Sequence, residues 1–320
     1  MTKPPTEAAS SSVDAAVTTG EEGTRCGFVA IIGAPNAGKS TLVNRLVGTK
    51  VTIVSRKVQT TRTPVRGIFM SGQAQIVLID TPGIFAPRRR LDRAMVGAAW
   101  SGAHDADAIV FLIDAARGLD DEARAILDEL KAVKAPVYVA LNKADRLAEK
   151  AALLALAAKI QEELGPKEIF FISALDGTGV DDLRATLAAQ MPEGPWHYPP
   201  DDVSDLPMRL LAAELTREKI YDRLHQELPY AITVETTDWK SLRNGSVRIE
   251  QTVFVERDSQ KKIVLGKGGS LIKQVSQETR HELAEILEQP VHLFLFVKVR
   301  ENWADDPARY REMGLEFPKD

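Results

Sequence analysis

The hydrophobic pattern divides the chain into two parts with different orders of elements. In the first part, short and nearly continuous apolar runs alternate with segments of helical periodicity. The apolar runs lie in GFVAIIG, ADAIVFLIDAARG, APVYVALNKAD and EIFFISALDG. A further segment, GIFMSGQAQIVLIDTPG, is consistent with two strands joined at Ser71-Gly72. The helical segments include STLVNRLVG and DEARAILDELKAV. Such alternation is typical of a mostly parallel sheet with helices on both faces. This part is therefore predicted to be an α/β domain.

The second part begins with the amphipathic helix MRLLAAELTREKIYDRLHQE and follows a different order. Two strands come next, PYAITVETTDW and SVRIEQTVFVERD, and Asn244-Gly245 supplies a turn between them. A short helix SQKKIVLG, a glycine-rich loop, the long helix SLIKQVSQETRHELAEILEQ and the strand PVHLFLFVKVRENW complete this part. The order α-β-β-α-α-β predicts an α+β domain.

Changes in composition mark the boundaries of the two domains. We predict a disordered tail at 1–26, the α/β domain at 27–191, a linker rich in proline and acid at 192–207, the α+β domain at 208–310 and a C-terminal tail at 311–320. Trp196 and Tyr198 are expected to pin the linker against a domain, and the alternative is that they form a binding patch.

The charge balance excludes a global basic field. The 320 residues carry a formal net charge of −4, so any site for RNA or DNA must be a local basic patch. A single cysteine, Cys26, excludes an internal disulfide, and no cluster of cysteine and histidine suggests zinc. No apolar run approaches the roughly 20 residues of a membrane span.

The stretch GAPNAGKS follows a predicted strand, opens a helix and fits the phosphate-loop pattern G-x-x-x-x-G-K-[ST]. In such a loop the backbone N–H groups wrap the phosphates of a nucleotide. Lys39 can reach the β and γ phosphates, and the Ser40 hydroxyl can ligate Mg²⁺. The predicted phosphate-loop contacts are Gly33, Ala34, Pro35, Asn36, Ala37, Gly38, Lys39, Ser40 and Thr41.

Three further motifs, DTPG, NKAD and SAL, end later strands in the order that a guanine nucleotide requires. The Asp145 carboxylate can accept hydrogen bonds from guanine N1–H and the exocyclic amine, and adenine offers neither donor in that arrangement. An ATP-using kinase is the alternative, and it predicts a preference for adenine. The predicted contacts in these motifs are Asp80, Thr81, Pro82, Gly83, Asn142, Lys143, Asp145, Ser173, Ala174 and Leu175.

The threonine-rich segment VSRKVQTTRTPVRG is predicted to close over Mg²⁺ and the γ phosphate through Thr61, with Thr60 as the alternative. The predicted Mg²⁺ ligands are Ser40, Thr61 and Asp80. Ile84 occupies the position of the glutamine that orients water in Ras-like enzymes. We therefore assign catalysis to Lys39, Thr61, Gly83 and, as a hypothesis, to K⁺ bound by Asn36. The alternative is that Asn36 only shapes its loop.

The later loop GKGG lacks the lysine–hydroxyl pair of a phosphate loop, so it is a poor nucleotide site. A G-x-x-G turn between helices lets a nucleic-acid backbone approach closely, and an adjacent apolar groove can hold unpaired bases. Single-stranded RNA is favoured over duplex DNA, and a plain corner between helices is the alternative. The groove is predicted from Ile263, Val264, Leu265, Ile272 and Val275. The predicted RNA contacts are Lys261, Lys262, Ile263, Gly266, Lys267, Gly268, Gly269, Lys273 and Arg280.

From about Gly27 to its end, the chain resembles the Era family of bacterial GTPases through GAPNAGKST, SRKVQTTR, DTPG, NKAD, SAL and VLGKGGSLIK. The resemblance implies a Ras-like G domain followed by a type II KH domain, with GTP, GDP and Mg²⁺ as ligands. It implies binding near the 3′ end of 16S rRNA and a role in maturation of the 30S subunit. It also implies a cytoplasmic monomer with some association with the inner membrane surface. We expect the two domains to act as a switch, and the alternative is a constitutive RNA-binding protein.

Overall fold

The computed structural model describes residues 23–55, 57, 59–147, 150–224 and 231–318, with a helix and strand order close to the predicted one. The first domain contains, in chain order, β1 (Arg25–Ile32), α1 (Lys39–Val47), β2 (Val65–Ser71), β3 (Ala74–Asp80), α2 (Arg90–His104), β4 (Ala108–Asp114), α3 (Asp121–Leu130), β5 (Val137–Asn142), α4 (Lys150–Leu164), β6 (Glu168–Phe171) and α5 (Val180–Gln190). The second contains α6 (Met208–Arg223), β7 (Ile232–Ser241), β8 (Val247–Val255), α7 (Asp258–Leu265), α8 (Ser270–Leu287), β9 (Val291–Val299) and α9 (Pro307–Glu312).

The first domain is built on one six-stranded sheet in the order β2-β3-β1-β4-β5-β6. Only the β2–β3 pair is antiparallel, which confirms the predicted mostly parallel sheet. Separate hydrophobic clusters cover the two faces of the sheet, as continuous apolar strands require. Because parallel strands end at one edge, the phosphate loop after β1 and the motifs after β3, β5 and β6 converge there.

Strand β6 is less buried than the nearly continuous apolar runs of this domain predict. Glu168 and Phe171 are exposed, whereas Phe170 between them is buried. The cause is position, since β6 is the last strand of the sheet and pairs only with β5 among the described residues.

The second domain has the predicted α-β-β-α-α-β order around a three-stranded sheet, β7-β8-β9. Strands β7 and β8 are antiparallel, and β8 and β9 are parallel. Helices α6, α7 and α8 pack on one face through alternate strand residues such as Val253, Leu293 and Val297.

Two predicted tails were placed wrongly where they meet the folded domains. The N-terminal tail was predicted to end at residue 26, but β1 begins at Arg25, and residues 1–22 lie outside the described residues. The C-terminal tail was predicted from residue 311, but α9 crosses that boundary and Leu315 is 4% exposed. The reason is apolar packing, because Tyr310 and Leu315 join one hydrophobic cluster with Met95 of α2.

The linker lies against the first domain, as predicted. The indole Nε1 of Trp196 donates to the carbonyl of Gln73 at 3.0 Å. The backbone N–H of Tyr198 donates to Oε1 of Gln75, also at 3.0 Å. These contacts favour a packing role for the two aromatic residues over a binding patch.

Candidate nucleotide site and nucleic-acid interface

The phosphate loop fits tightly against the ends of β4 and β5. Gly38 has φ 102°, and a Cβ there would lie 2.3 Å from Nδ2 of Asn142. A Cβ on Gly33 would lie 2.4 Å from the carbonyl oxygen of Leu112. Only glycine fits these two positions, so the loop is held in one shape before a ligand binds.

Lys39 curls back into this loop. Its Nζ donates to the carbonyls of Gly33 and Ala34, both at 3.0 Å. Burial lowers the pKa of Lys39 to about 8, although the nearby Asp80 opposes that shift. A buried ammonium with carbonyl partners is suited to receive the oxygens of a phosphate chain.

Ser40, Thr61 and Asp80 meet beside the phosphate loop. The Ser40 hydroxyl donates to Oδ2 of Asp80 at 2.8 Å and lies 2.9 Å from the Thr61 hydroxyl. Thr61 Oγ1 lies 3.3 Å from the same carboxylate oxygen. Burial raises the pKa of Asp80, and its Oδ1 is buried without a hydrogen-bond partner among the described residues. This set of hard oxygen atoms, one of them unpartnered, fits Mg²⁺ and its bound water.

The geometry favours Thr61 over Thr60 for this position. The Thr60 hydroxyl donates instead to the carbonyl of Lys57 at 2.7 Å. Thr52 was missed by the sequence analysis, yet its hydroxyl donates to Oδ2 of Asp80 at 2.9 Å. A single polar residue within the apolar stretch VTIV was the available signal.

The NKAD segment ties the guanine side of the site to the phosphate loop. Asn142 Nδ2 donates to the carbonyl of Ala37 at 2.7 Å, and its Oδ1 accepts the N–H of Ala174 at 2.9 Å. Lys143 Nζ donates to the carbonyl of Asn36 at 2.7 Å. Asp145 is exposed at the same edge, where its carboxylate is accessible to a base. Asn142 and Lys143 thus brace the loops, as predicted.

Two supporting residues here escaped the sequence analysis. Asp114 accepts a hydrogen bond from Lys143 Nζ at 2.6 Å, and its signal was a carboxylate at the end of a strand. Arg45 donates through Nε to the carbonyl of Ala174 at 3.3 Å and through its guanidinium to the carbonyl of Leu175. Arg45 had no signal, because it comes 129 residues before Ala174 in the chain.

The other predicted nucleotide contacts occupy varied environments. The hydroxyl of Thr81 donates to the carbonyl of Ile31 at 2.7 Å, which is a structural role. Gly83 lies against Pro35, because a Cβ added to Gly83 would lie 3.0 Å from atoms of Pro35. Thr41 lines the cleft on α1, Pro82 and Ser173 are buried, and Leu175 is 70% exposed.

Asn36 has φ 62° and an exposed side chain. The left-handed conformation and the contact of its carbonyl with Lys143 favour the loop-shaping role. Ligation of K⁺ by its side chain stays a prediction.

The GKGG loop has the opposite character to the phosphate loop. Gly266, Gly268 and Gly269 have φ of 74°, 62° and 78°. A Cβ on Gly268 or Gly269 would meet nothing within 4 Å, so the backbone there is open to an approaching molecule. Lys262, Lys267 and Lys273 are exposed near this turn, and Lys261 is half-buried. An exposed glycine turn bordered by lysines fits a nucleic-acid backbone.

Two parts of the predicted RNA site were wrong. Val264 and Val275 are fully buried in the core of the second domain, so they cannot line a groove for bases. Ile263 is 53% exposed and remains available. Arg280 does not gather at the loop, because ten residues of α8 separate it from Ser270, a distance of about 15 Å. Its neighbours there include the acidic side chains of Glu278, Glu282 and Glu285.

Comparisons with known proteins agree on one family. A family model described as "50S ribosome-binding GTPase" matches residues 28–143, and a KH domain model matches residues 227–304. GTPase Era of Afipia carboxidovorans is 68% identical over 297 residues, covering 93% of this chain and 96% of the relative. GTPase Era of Rhizobium meliloti is 64% identical and covers 92% and 94%. The chain belongs to the Era family of GTPases. It is a GTP hydrolase with a Ras-like G domain and a C-terminal KH domain.

Two solved Era structures share this architecture. One is Era in complex with MgGDPNP and nucleotides 1506–1542 of 16S rRNA, and the other is an Aquifex aeolicus Era variant bound to GDP·AlF4⁻. Each has a TM-score of 0.87 and 38% identity, and covers 91% of this chain and 99% of the solved one. In the described part of the present chain, no helix has the length and apolarity to cross a membrane.

In this Era-family chain, the segment that carries Thr61 is anchored in the KH domain. Arg62, the next residue, is 3% exposed. Its guanidinium donates to the carbonyl of Ile232 at 2.8 Å and to the hydroxyl of Tyr221 at 2.6 Å. It also lies 5.5 Å from the centre of the Trp303 ring. Adjacent residues thus face the candidate Mg²⁺ site and the interior of the other domain.

Helices α6 and α8 hold the rest of the same segment. Arg217 Nη2 donates to the carbonyl of Thr60 at 2.5 Å, and Glu218 accepts the N–H of Val54 at 2.7 Å. Lys50 Nζ lies 2.6 Å from carboxylate oxygens of both Glu218 and Glu282. These contacts join residues more than 150 positions apart in sequence, so no local pattern revealed them.

Proposed function

We propose that this GTPase couples the state of its nucleotide to its grip on 16S rRNA near the 3′ end, and so assists maturation of the 30S subunit. The observation that carries the proposal is the pair Thr61 and Arg62. Thr61 lies 2.9 Å from Ser40 at the Mg²⁺ site, and Arg62 is buried against the KH domain. A change that withdraws Thr61 from the nucleotide must therefore move Arg62 or break its contacts.

Mg²⁺ binding is assigned to Ser40 and Thr61 directly and to Asp80 through water. The metal would supply positive charge to the β and γ phosphates during transfer to water. Asp80 would hold the hydroxyls and the water in place. Lys39 would hold the phosphate chain, and Gly83 would offer its N–H to the γ phosphate.

Hydrolysis in this chain has to proceed without a glutamine after DTPG. Ile84 is 7% exposed and has no group that could orient water. Catalysis is therefore assigned to Lys39, Thr61, Gly83 and the metal, with K⁺ at Asn36 as a further contribution. GTP turnover measured in K⁺ and in Na⁺ at equal ionic strength tests that contribution. Equal rates would leave Asn36 with its loop-shaping role alone.

Guanine selectivity is assigned to Asp145, which the braced NKAD and SAL loops present at the edge of the site. Asp145→Asn should weaken GTP binding by a factor of about 100 or more. The substitution replaces one of the two carboxylate oxygens, which accept hydrogen bonds from guanine, with an NH₂ group that can only donate. ATP binding should stay weak in both proteins. An adenine-using kinase would instead bind ATP well and hardly notice the substitution.

RNA binding is assigned to the GKGG turn with Lys261, Lys262, Ile263, Lys267 and Lys273. Gly268 and Gly269 leave open space for the RNA backbone, and the lysines neutralise phosphates. Arg280 is retained only as a distant contact for a longer RNA, given its place on α8.

Linkage provides the decisive test of coupling. If RNA changes the affinity for a GTP analogue by some factor, the analogue must change the affinity for RNA by the same factor. Calorimetry with a non-hydrolysable GTP analogue and an RNA of nucleotides 1506–1542 of 16S rRNA measures both. Arg62→Ala should reduce the coupling towards unity while each ligand still binds. Equal RNA affinity in the GDP and GTP-analogue states of the wild-type protein would favour the constitutive RNA-binding alternative.

The cellular setting is proposed from the family resemblance. We place the protein in the cytoplasm as a monomer that meets the 30S precursor, with peripheral contact at the inner face of the membrane. Light scattering of the purified protein tests the monomer. Flotation with anionic lipid vesicles tests the membrane contact, and complete recovery in the unbound fraction would remove it.

A further inference from the structure

The face of the KH sheet turned away from its helices carries an exposed aromatic pair. Along β9, Leu293, Leu295 and Val297 point into the core beneath the helices. Phe294 and Phe296 alternate with them and are 44% and 47% exposed. We call the outward residues of this strand, His292, Phe294, Phe296 and Lys298, the open face of β9.

Basic side chains border the two rings. Lys298 and His292 are exposed on the same strand, and Lys298 has no ion pair among the described residues. The guanidinium of Arg248, on the neighbouring strand, lies 4.9 Å from the centre of the Phe294 ring. The carboxylate of Glu250, which lies opposite Phe294, is engaged by Arg248. The surroundings of the rings are therefore cationic or neutralised.

The C-terminal segment covers the other part of this sheet face. Arg309 lies 5.1 Å from the centre of the Phe254 ring and pairs with Glu235. Arg300 also lies near that ring and forms an ion pair of 2.6 Å with Asp306. The chain thus covers one aromatic residue of the face and leaves the pair on β9 uncovered.

The helices that flank GKGG pack against β9, because Val264, Leu271 and Ile272 share one hydrophobic cluster with Leu295 and Val297. Strand β9 is at the edge of its sheet, and α7, which leads into GKGG, packs against it. An RNA that left the glycine turn towards β9 would cross this free edge before it reached the two rings. Alternate residues of a strand lie about 7 Å apart, so each ring can take one base of a splayed single strand.

We propose that the open face of β9 binds additional nucleotides of single-stranded RNA, with bases stacked on Phe294 and Phe296 and a phosphate at Lys298. The inference rests on the proposed RNA binding at GKGG and extends that site. A protein partner is disfavoured because two rings bordered by cations make a small apolar core, whereas stable protein interfaces bury about 1,200 Å² or more. Stacking on aromatic rings needs no such area and accepts any base.

The test compares RNA length in wild-type protein and the double variant Phe294→Leu/Phe296→Leu. The probe is an RNA of nucleotides 1506–1542 of 16S rRNA, shortened in steps from each end. Leucine keeps the apolar surface and removes the stacking ring. The variant should bind the long RNA about tenfold more weakly and the shortest binding RNA unchanged. Phe171→Leu on β6, also an exposed phenylalanine, is the matched control and should change neither.

The outcomes separate the two levels of inference. No binding of any RNA by wild-type protein would remove the proposed function itself. Equal loss of affinity with length in wild-type and double-variant proteins would overturn only the role of β9. Unchanged RNA affinity with weaker binding to purified 30S subunits would also overturn it, since the face would then meet protein. Lys298→Glu offers a second variant outside the rings, and it should weaken the long RNA alone. Unchanged GTP turnover and thermal unfolding show that each variant is folded.

Discussion

The two glycine-rich loops of this protein solve different problems with the same residue. In the phosphate loop, Gly33 and Gly38 are required because other atoms are too close for a Cβ. In GKGG, Gly268 and Gly269 have open space around them, and their positive φ values are what favours glycine. The phosphate loop is a closely packed site for one small ligand. The GKGG loop is exposed, so its selectivity must come from its surroundings.

The largest expected effect comes from a substitution that disrupts the packing of the phosphate loop. Gly38→Ala places a Cβ 2.3 Å from Asn142 Nδ2 at φ 102°, so the loop and the NKAD brace must shift apart. GTP affinity should fall by about 100-fold or more, about 2.8 kcal/mol. Calorimetry measures it. Gly72→Ala, at φ 58° in the open β2–β3 turn, is the control and should leave GTP affinity unchanged. Equal effects of the two substitutions would mean that strain, and not the clash, decides.

The second prediction concerns a change in the GKGG loop that leaves the phosphate loop intact. Changing GKGG to GDDG, that is Lys267→Asp with Gly268→Asp, removes one cation and adds two anions where RNA phosphates approach. RNA affinity should fall by about 30-fold in a filter-binding assay, whereas GTP turnover without RNA stays the same. Gly245→Asp, in the exposed β7–β8 turn at φ 77°, is the control for an added charge in this domain. A loss of basal GTPase activity in the GDDG variant would contradict the separation of the two loops.

The contrast between the loops also explains what the sequence could reveal. GAPNAGKS, DTPG and NKAD are contiguous motifs, and the chemistry of each is local, so their meeting at one sheet edge followed from the order of strands. The RNA groove was predicted less well. An apolar residue on a short helix, such as Val264, can face either the core or a ligand, and periodicity does not distinguish them.

The link between the domains was beyond any sequence pattern. Arg62 lies in a segment that reads as a polar loop, and its partner Tyr221 lies in a helix 159 residues later. Only the fold shows that these side chains meet. Likewise, α9 is too short to have a clear periodicity, and its burial depends on α2.

The third prediction concerns Lys39, the buried cation of the phosphate loop. Burial lowers the pKa of Lys39 to about 8, below its ordinary value of 10.5. The charged form therefore weakens the nucleotide-free fold below pH 8, and this cost disappears as the pH rises from about 8 to 10.5. Phosphates favour the charged form, so GTP binding takes up a proton above pH 8. GTP affinity should fall about tenfold between pH 7 and pH 9. Calorimetry in buffers of different ionisation enthalpy should show this uptake, and none at pH 9 would contradict it.

The smallest expected effect concerns the cations near the GKGG loop. Lys273 is exposed on the first turn of α8 beside GKGG, whereas Arg280 lies about 10 Å further along that helix among acidic residues. Lys273→Ala should weaken RNA binding about threefold and lower the slope of log affinity against log salt by about 0.7, as expected when one single-strand phosphate contact is lost. Arg280→Ala is the matched control, since it removes one exposed cation from the same helix, and it should change neither quantity for a short RNA. An equal reduction of the salt slope by both substitutions would mean that the RNA follows α8 away from the glycine turn.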